Sequence, residues 1–267
     1  MTNQKLADLA VRIWSAIVAE VEIQSEKEPV LTSFYHSSIL NHSSLGSALG
    51  FHIASKLSTG TVPGMLIQQV FTEAIEDNPV IINSIYHDLE AYYRRDPACD
   101  QYSMPFLYFK GFHALQAYRI GHWLWQKERY DLALFLQNRI STIFDVDIHP
   151  AAKLGWGIMI DHATGVVIGE TAVIGNDVSL LHSVTLGGCG SAEGARHPKI
   201  AEGVLISAGA KLLGNISIGE GAKITAGSLV LEDVAAHTTV AGVPAKITGR
   251  PVDDQPALNM NQQIIDS

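Results

Sequence analysis

A six-residue rhythm constrains this chain more than any other feature of its 267 residues. Aliphatic positions fall at Ile148, Leu154, Ile160, Val166, Ala172, Val178 and Val184, with a second row two residues ahead at Ile168, Ile174, Leu180 and Leu186. The rhythm resumes at Ile200, Ile206, Leu212, Ile218, Ile224 and Val230, beside a companion row through Val204, Ala210, Ile216, Ala222 and Ser228. An amphipathic helix would repeat near 3.6 and a strand at 2. Hexads instead predict a parallel β-helix, in which each short strand turns a corner and stacks on the coil below. Three hexads make a coil of roughly 18 residues, so this stretch provides about five coils. Gly169, Gly175, Gly214 and Gly219 suit corners that need permissive backbone angles. The inside of such a prism is packed aliphatic side chain, so chemistry must lie on its outside or between prisms. The step from Leu186 to Ile200 is 14 residues rather than 12. GGCGSAEGARHPK must therefore leave the coil as a loop, a mobile flap that ends in Arg196–His197.

The first half follows a different period. Leu6, Leu9, Ala10, Ile13, Ala16 and Ile17 fit one face of a helix, as do Ala114, Ala117, Tyr118, Gly121, Leu124 and Trp125. SLGSALGFHIASKL and PGMLIQQVFTEAIED read as helices too, with breaks near Ser58–Pro63 and at Asp77–Pro79. Pro97 and Pro105 oppose a continuous helix, which puts Asp96 at or just past a helix end. The expected organisation is α+β: an all-helical domain over 1–142, the β-helix over 143–250 and a flexible, polar, proline-punctuated tail over 251–267. His36, His42, His52, His87, His113 and His122 read as surface or hydrogen-bonded core residues, since none has a metal-ligand partner three or four residues on.

A net charge of −9 argues against nucleic acid or an anionic membrane as the main partner. Cys99 and Cys189 form no zinc spacing and no disulfide framework, which fits a reducing compartment. MTNQKLADLAVRIW lacks the pattern of a signal peptide, and no apolar run reaches membrane-span length, so a cytoplasmic protein is expected.

His162 and Asp147 carry the first chemical reading. They lie 15 residues apart, a little under one coil, and could stack on one edge as a general base and its orienting carboxylate. From spacing alone a surface ion pair is the favoured reading. Asp161 alone reads as a corner residue and Arg196 as a solvated loop charge.

The hexads resemble those of the left-handed β-helix acyltransferases. That resemblance supplies the hand, because ordinary crossovers favour the opposite one. GFHALQAYRIGHWLW, DIHPAAKLG, DHATGVVIGETAVIG, SVTLGG, RHPKI and AGVPAK together resemble the serine acetyltransferase family over roughly residues 80–250. The resemblance implies acetyl transfer from acetyl-CoA to L-serine, the first step of cysteine synthesis. It makes His162 the general base and Asp147 its partner in a dyad, with Asp96, Asp161, Arg196 and His197 holding the amino acid. By analogy Gly187, Ala208, Gly209, Ala226 and Gly227 let coenzyme A pass, and Lys223, Lys246 and Arg250 are cations for its phosphates. The family also implies trimers joined into a hexamer, feedback inhibition by L-cysteine and no resident metal. Docking to O-acetylserine sulfhydrylase uses a terminal Ile in this family. Here Ile264 and Ile265 precede Asp266 and Ser267, which argues against that complex. Cys189 in the flap has no activating neighbour in sequence, so direct transfer is expected over an acyl-enzyme. Two rivals share the prism. A zinc carbonic anhydrase needs further imidazoles in register, but Glu202 stands five residues after His197 and Val167 five after His162. Sugar or xenobiotic O-acetyltransferases differ in their acceptor, and a non-enzymatic scaffold would lack acetyl transfer altogether.

Overall fold

In the computed structural model, which describes residues 3–190 and 194–262, the helices come first and the coils follow. The helices are α1 (Asn3–Lys27), α2 (Thr32–Tyr35), α3 (Leu45–Leu57), α4 (Gly64–Asp77), α5 (Pro79–Arg95), α6 (Ser103–Tyr108), α7 (Lys110–Gln126) and α8 (Tyr130–Phe144). Breaks fall where the sequence put them. Leu57 to Gly64 spans the Ser–Thr–Gly–Pro segment, and Asn78 caps α5 by accepting from the Val80 N–H at 3.2 Å, with Pro79 as its first residue. α1 buries Leu9, Ile13, Ile17 and Val21, a narrow stripe at helical spacing.

Strands open at Val146. The first coil carries β1 (Val146–Ile148), β2 (Lys153–Leu154) and β3 (Met159–Ile160); the second β4 (Val166–Ile168), β5 (Val173–Ile174) and β6 (Ser179–Leu180). The third has β7 (Thr185–Gly187), β8 (Lys199–Ile200) and β9 (Leu205–Ile206); the fourth β10 (Lys211–Leu213), β11 (Ser217–Ile218) and β12 (Lys223–Ile224). β13 (Leu229–Val230) begins the fifth, and the antiparallel hairpin β14 (Thr239–Gly242) and β15 (Ala245–Gly249) ends the prism. Three parallel faces result. The first is β1-β4-β7-β10-β13, the second β2-β5-β8-β11, and the third begins at β3 and passes through β6, β9 and β12 to the hairpin.

The rows fill the core as expected, but their phase differs from a simple count of sixes. Ile148 stacks on Ile168, twenty residues on, whereas Ile168 stacks on Leu186 and Leu212 on Val230 at eighteen. The row through Ile148, Leu154 and Ile160 therefore continues at Ile168, and Val166 belongs to the companion row. Two extra residues sit in the turn 161–165. Leu186 likewise stacks on Leu212, twenty-six residues on, so all eight residues of the flap's excess enter at one corner.

The two units are stapled by buried polar groups. Asp88 Oδ1 accepts the Ile158 N–H at 2.9 Å, while its Oδ2 accepts from Gln116 and from the guanidinium of Arg119 at 2.7 Å. Arg119 also donates to the Gly155 carbonyl, and Arg95 reaches Gly157 O and Asp177. Removing one partner of a pair buried this deeply costs about 3–5 kcal/mol.

Residues 251–262 cross the third face, with a short helix α9 (Pro256–Asn259) whose Ala257 is fully buried. Ser179 Oγ donates to Ala257 O at 2.9 Å, and the Ala257 N–H donates to Gly203 O. Ile264, Ile265, Asp266 and Ser267 lie outside the described residues, as do Ser191, Ala192 and Glu193 of the flap. Among the described residues no helix is long and apolar enough to cross a membrane.

Candidate active site

The extra residues of the first coil make the turn that carries His162. His162 and Ala163 both adopt left-handed backbone angles, with φ of 55° and 62°, in a short loop closed by bonds from the Ala163 N–H to Asp161 O and from the Thr164 N–H to His162 O. Non-glycine residues hold such angles only when their surroundings impose them. Here the helical unit does so. α7 begins so close to this turn that a Cβ on Gly111 would lie 2.1 Å from Ile160 O and 3.0 Å from the Ala163 methyl. Lys110 Nζ donates to Thr164 Oγ1 at 2.6 Å. The Tyr92 hydroxyl donates to Ile160 O and accepts from the Ile160 N–H, both at 3.0 Å. Lifted out of the coil, the His162 side chain is 75% exposed.

Tyr92 also lies near two carboxylates, Asp161 and Asp96. It lies one turn before the end of α5, where Asp96 caps the helix as the sequence expected and accepts from the Ala98 N–H. Asp161 Oδ2 stands 3.9 Å from His162 Nε2. Partial burial raises the Asp161 pKa; His162 opposes the rise and the Asp96 carboxylate adds to it. Two carboxylates thus converge beside one imidazole, an arrangement suited to a cationic group. His182, which the sequence reading passed over, joins this group one coil above. Its ring meets that of His162 edge-on at 5.8 Å.

A second group occupies the other end of the first face. The Thr171 hydroxyl accepts the N–H groups of Arg196 and His197 and lies 2.8 Å from His197 Nδ1, to which the Thr171 N–H also points at 3.2 Å. A backbone donor on Nδ1 leaves the ring proton on Nε2. Burial, then the neighbouring Arg196 charge, lowers the His197 pKa, so the ring acts as a neutral donor. The Arg196 guanidinium pairs with Glu170. His149 completes the group, with burial lowering its pKa while Glu170 and Asp147 oppose the shift. Thr171 and Glu170 escaped the sequence reading, because a Thr and a Glu at a coil corner carry no signal of their own.

Asp147 corrects the expected geometry. It projects from the middle of β1, stacks under Val167 and accepts from Gln137 Nε2 at 2.7 Å. It does not share an edge with His162, because Asp147 lies within β1 on the first face whereas His162 lies at the corner between β3 and β4. Among the described residues no hydrogen bond or ion pair joins the two; the Asp147 charge acts instead on His149, which Glu170 and Arg196 also face.

For coenzyme A, Ala208, Gly209, Ala226 and Gly227 lie above His182 on the His162 corner, tied in register by Gly209 N–H to His182 O and Gly227 N–H to Ala208 O. A Cβ on Gly227 would meet nothing within 4 Å, and one on Gly209 only the Gly227 backbone at 3.9 Å, so the strip is open to an extended ligand. Gly187 ends β7 beside the flap, and a Cβ there would crowd Leu213 at 2.8 Å. Lys246 and Arg250 are exposed near the end of the prism. Lys223 is not available as a phosphate contact. It is 1% exposed on the third face, in the column Ser179, Leu205, Lys223 that the tail crosses. Cys99 is buried, and burial with the Asp96 charge pushes its thiol up to about 12, which removes it as a nucleophile. Among the described residues no three His, Cys, Asp or Glu side chains are grouped to hold a metal ion.

Comparison with known proteins gives one consistent answer. A family model described as serine acetyltransferase, N-terminal, matches residues 13–117. The serine acetyltransferase of Escherichia coli (strain K12) is 59% identical over 250 residues, covering 94% of this chain and 92% of that protein. A solved serine acetyltransferase in complex with cysteine is 52% identical with a TM-score of 0.94, over 96% of this chain and 100% of the other. Another, in complex with CoA, is 53% identical with a TM-score of 0.86, over 90% and 100%.

Proposed function

We propose a mechanism from one premise: the chain belongs to the serine acetyltransferase family, a family of acyltransferases. The reaction is transfer of the acetyl group of acetyl-CoA to the hydroxyl of L-serine, giving O-acetyl-L-serine and CoA. The observation that carries this reading is the strained turn that lifts His162 clear of the coil beside the Asp96–Asp161 pair.

The paired carboxylates hold the serine ammonium, and Arg196 with the Nε2–H of His197 takes the serine carboxylate. His162 accepts the hydroxyl proton as the serine oxygen bonds to the acetyl carbon, then returns it to sulfur as the carbon–sulfur bond breaks. No acyl-enzyme is needed. The open strip through Ala208, Gly209, Ala226 and Gly227 accommodates the pantetheine arm, and Lys246 with Arg250 meets the phosphates.

The ammonium and carboxylate groups sit at opposite ends of one face within a chain, so a single site takes them from two chains. In a trimer, the His162 corner of one chain abuts the Asp147–His197 corner of its neighbour, and the neighbour's Asp147 orients His162. Two such trimers join through the helical units as a hexamer. L-cysteine, a serine analogue bound in a solved relative, is expected to inhibit at the same site.

Two measurements test this. CoA release with L-serine, galactosides and chloramphenicol as acceptors, with and without cysteine, separates serine from sugar or xenobiotic acetyl transfer; preference for another acceptor would overturn the assignment. Mixing His162→Ala and His197→Ala chains in equal amounts through a refolding step tests the shared site. Random trimers then contain intact sites at about a quarter of the wild-type number, and hybrids with no activity would mean that each chain carries a whole site.

A further inference from the structure

The third face of the prism has an open edge at its first coil. β3 ends that sheet and is paired on one side, by β6. Met159 and Asp161 direct their N–H groups to Val178 O and Leu180 O in the coil above. The alternate backbone groups of the strand face the other way, where the first coil has no coil beneath it. Such an edge leaves polar groups that must find partners.

α5 takes the place of the missing coil. Asp88, Tyr92 and Arg95 share one face of the helix, and all three are buried. Asp88 accepts the Ile158 N–H and Arg95 donates to Gly157 O, each at 2.9 Å. The Tyr92 hydroxyl takes both groups of Ile160, using its one proton on the carbonyl and its oxygen on the N–H, at 3.0 Å each. Its ring is seated edge-on to Phe112 at 5.9 Å and against Phe109 at 6.0 Å. Of the three rungs, Tyr92 is the one beside the catalytic turn. Ile160 runs directly into Asp161 and His162, while Asp96 follows Tyr92 by one turn of α5. A single hydroxyl therefore joins the helix end that supplies Asp96 to the turn that supplies Asp161 and the base.

We propose that Tyr92 is a positioning residue for acetyl transfer: by holding both backbone groups of Ile160 it fixes the Asp161–His162 turn relative to Asp96. It touches neither substrate and acts only through that turn. The inference rests on the acetyl-transfer reading above.

Tyr92→Phe removes one oxygen, keeps the ring and frees the turn to shift. A displacement of about 1 Å at a reacting group costs up to about a hundredfold, so kcat should fall about ten- to a hundredfold. KM for serine should rise at least about threefold, because the ammonium needs Asp96 and Asp161 together, while KM for acetyl-CoA stays within about twofold of wild type. Tyr118→Phe is the matched control. Its hydroxyl also joins a helix to the prism from a buried ring, donating to Ala152 O at the corner between β1 and β2. It should lower the melting temperature as Tyr92→Phe does, yet keep kcat and both KM values within about twofold of wild type. Gly111→Ala presses the same turn from α7, since its methyl would lie 2.1 Å from Ile160 O and 3.1 Å from the Tyr92 hydroxyl. It should reproduce the Tyr92→Phe kinetics, and it serves in that variant's place if Tyr92→Phe does not fold. Kinetics in these variants that match Tyr118→Phe, or a loss of kcat with KM for serine unchanged, would overturn the proposal. His162→Ala is run alongside. If it keeps wild-type turnover, the acetyl-transfer mechanism itself is wrong; if it is inactive while Tyr92→Phe matches Tyr118→Phe, only the role of Tyr92 falls.

Discussion

Gly169→Ala adds one methyl group to the site and displaces one imidazole. A Cβ at this position would lie 2.0 Å from His197 Nε2 and 2.1 Å from its Cδ2, so the ring must leave its seat. Leaving it breaks the bond to the Thr171 hydroxyl at 2.8 Å and the longer contact to the Thr171 N–H. Two neutral hydrogen bonds at about 0.5–1.5 kcal/mol each set the structural cost at about 1–3 kcal/mol. The functional cost is the contact between Nε2–H and the serine carboxylate, a bond to a charged group worth about 1.5–3 kcal/mol, or roughly ten- to a hundredfold in affinity. Initial rates with varied serine at saturating acetyl-CoA should show that rise in KM, with kcat changed less. The double variant Gly169→Ala/His197→Ala should match His197→Ala alone, since the methyl acts only through a ring no longer present. A KM within about twofold of wild type, or additive losses in the double variant, would refute the assignment of His197 to the carboxylate.

Acid should destabilise the helical unit through His52. Burial first, then the Lys56 charge, lowers its pKa from 6.5 to about 4. Between those values the unfolded chain binds the proton that the folded chain refuses. The stability present above pH 6.5 is thus lost as pH falls, by about 3 kcal/mol near pH 4. Melting temperature measured from pH 7.5 to 4.5 should fall less steeply in His52→Gln, and parallel curves would count against the buried imidazole as the cause. Ala257→Asp forces a charge under the tail where Ala257 is fully buried. It should cost about 1–3 kcal/mol, or roughly 3–10 °C in melting temperature. Turnover at 25 °C should hold, because the catalytic corner lies elsewhere; an unchanged melting curve would mean that the strap does not hold.

The hexads were readable because a prism interior admits only a side chain of the same kind at each step. Ile168, Ile174, Leu180 and Leu186 are all buried as that rule requires. Helix limits were readable from Pro79, Pro63 and the Asp96 end of α5, each of which acts through its own backbone. What escaped depended on phase and on distant partners. Val166 is aliphatic and fits either row, so a count by sixes runs across the two inserted residues unchecked. Lys223 looked like a surface cation because nothing local says that it will be buried on the third face, and Thr171 became visible only once His197 was seen resting on it.

Function in this prism gathers where the period fails. A regular corner, such as Leu181-His182-Ser183-Val184, joins Leu180 to Leu186 in six residues; the turn after Ile160 spends eight to reach Ile168. Deleting Ala163 and Thr164 would leave Asp161-His162-Gly165-Val166, the same length as the regular corner, and would put His162 in the register that His182 holds one coil up. The inward row Ile160 to Ile168 would regain its six-residue step, so the β-helix should persist in far-UV circular dichroism and in oligomer size. The His162 ring would lose the protrusion that sets it over the Asp161 carboxylate, and Lys110 would lose Thr164. Turnover should drop by at least about a hundredfold, the scale of a misplaced general base. A deleted enzyme that kept more than about a tenth of wild-type kcat would show that the bulge is a tolerated irregularity and not the device that presents the base.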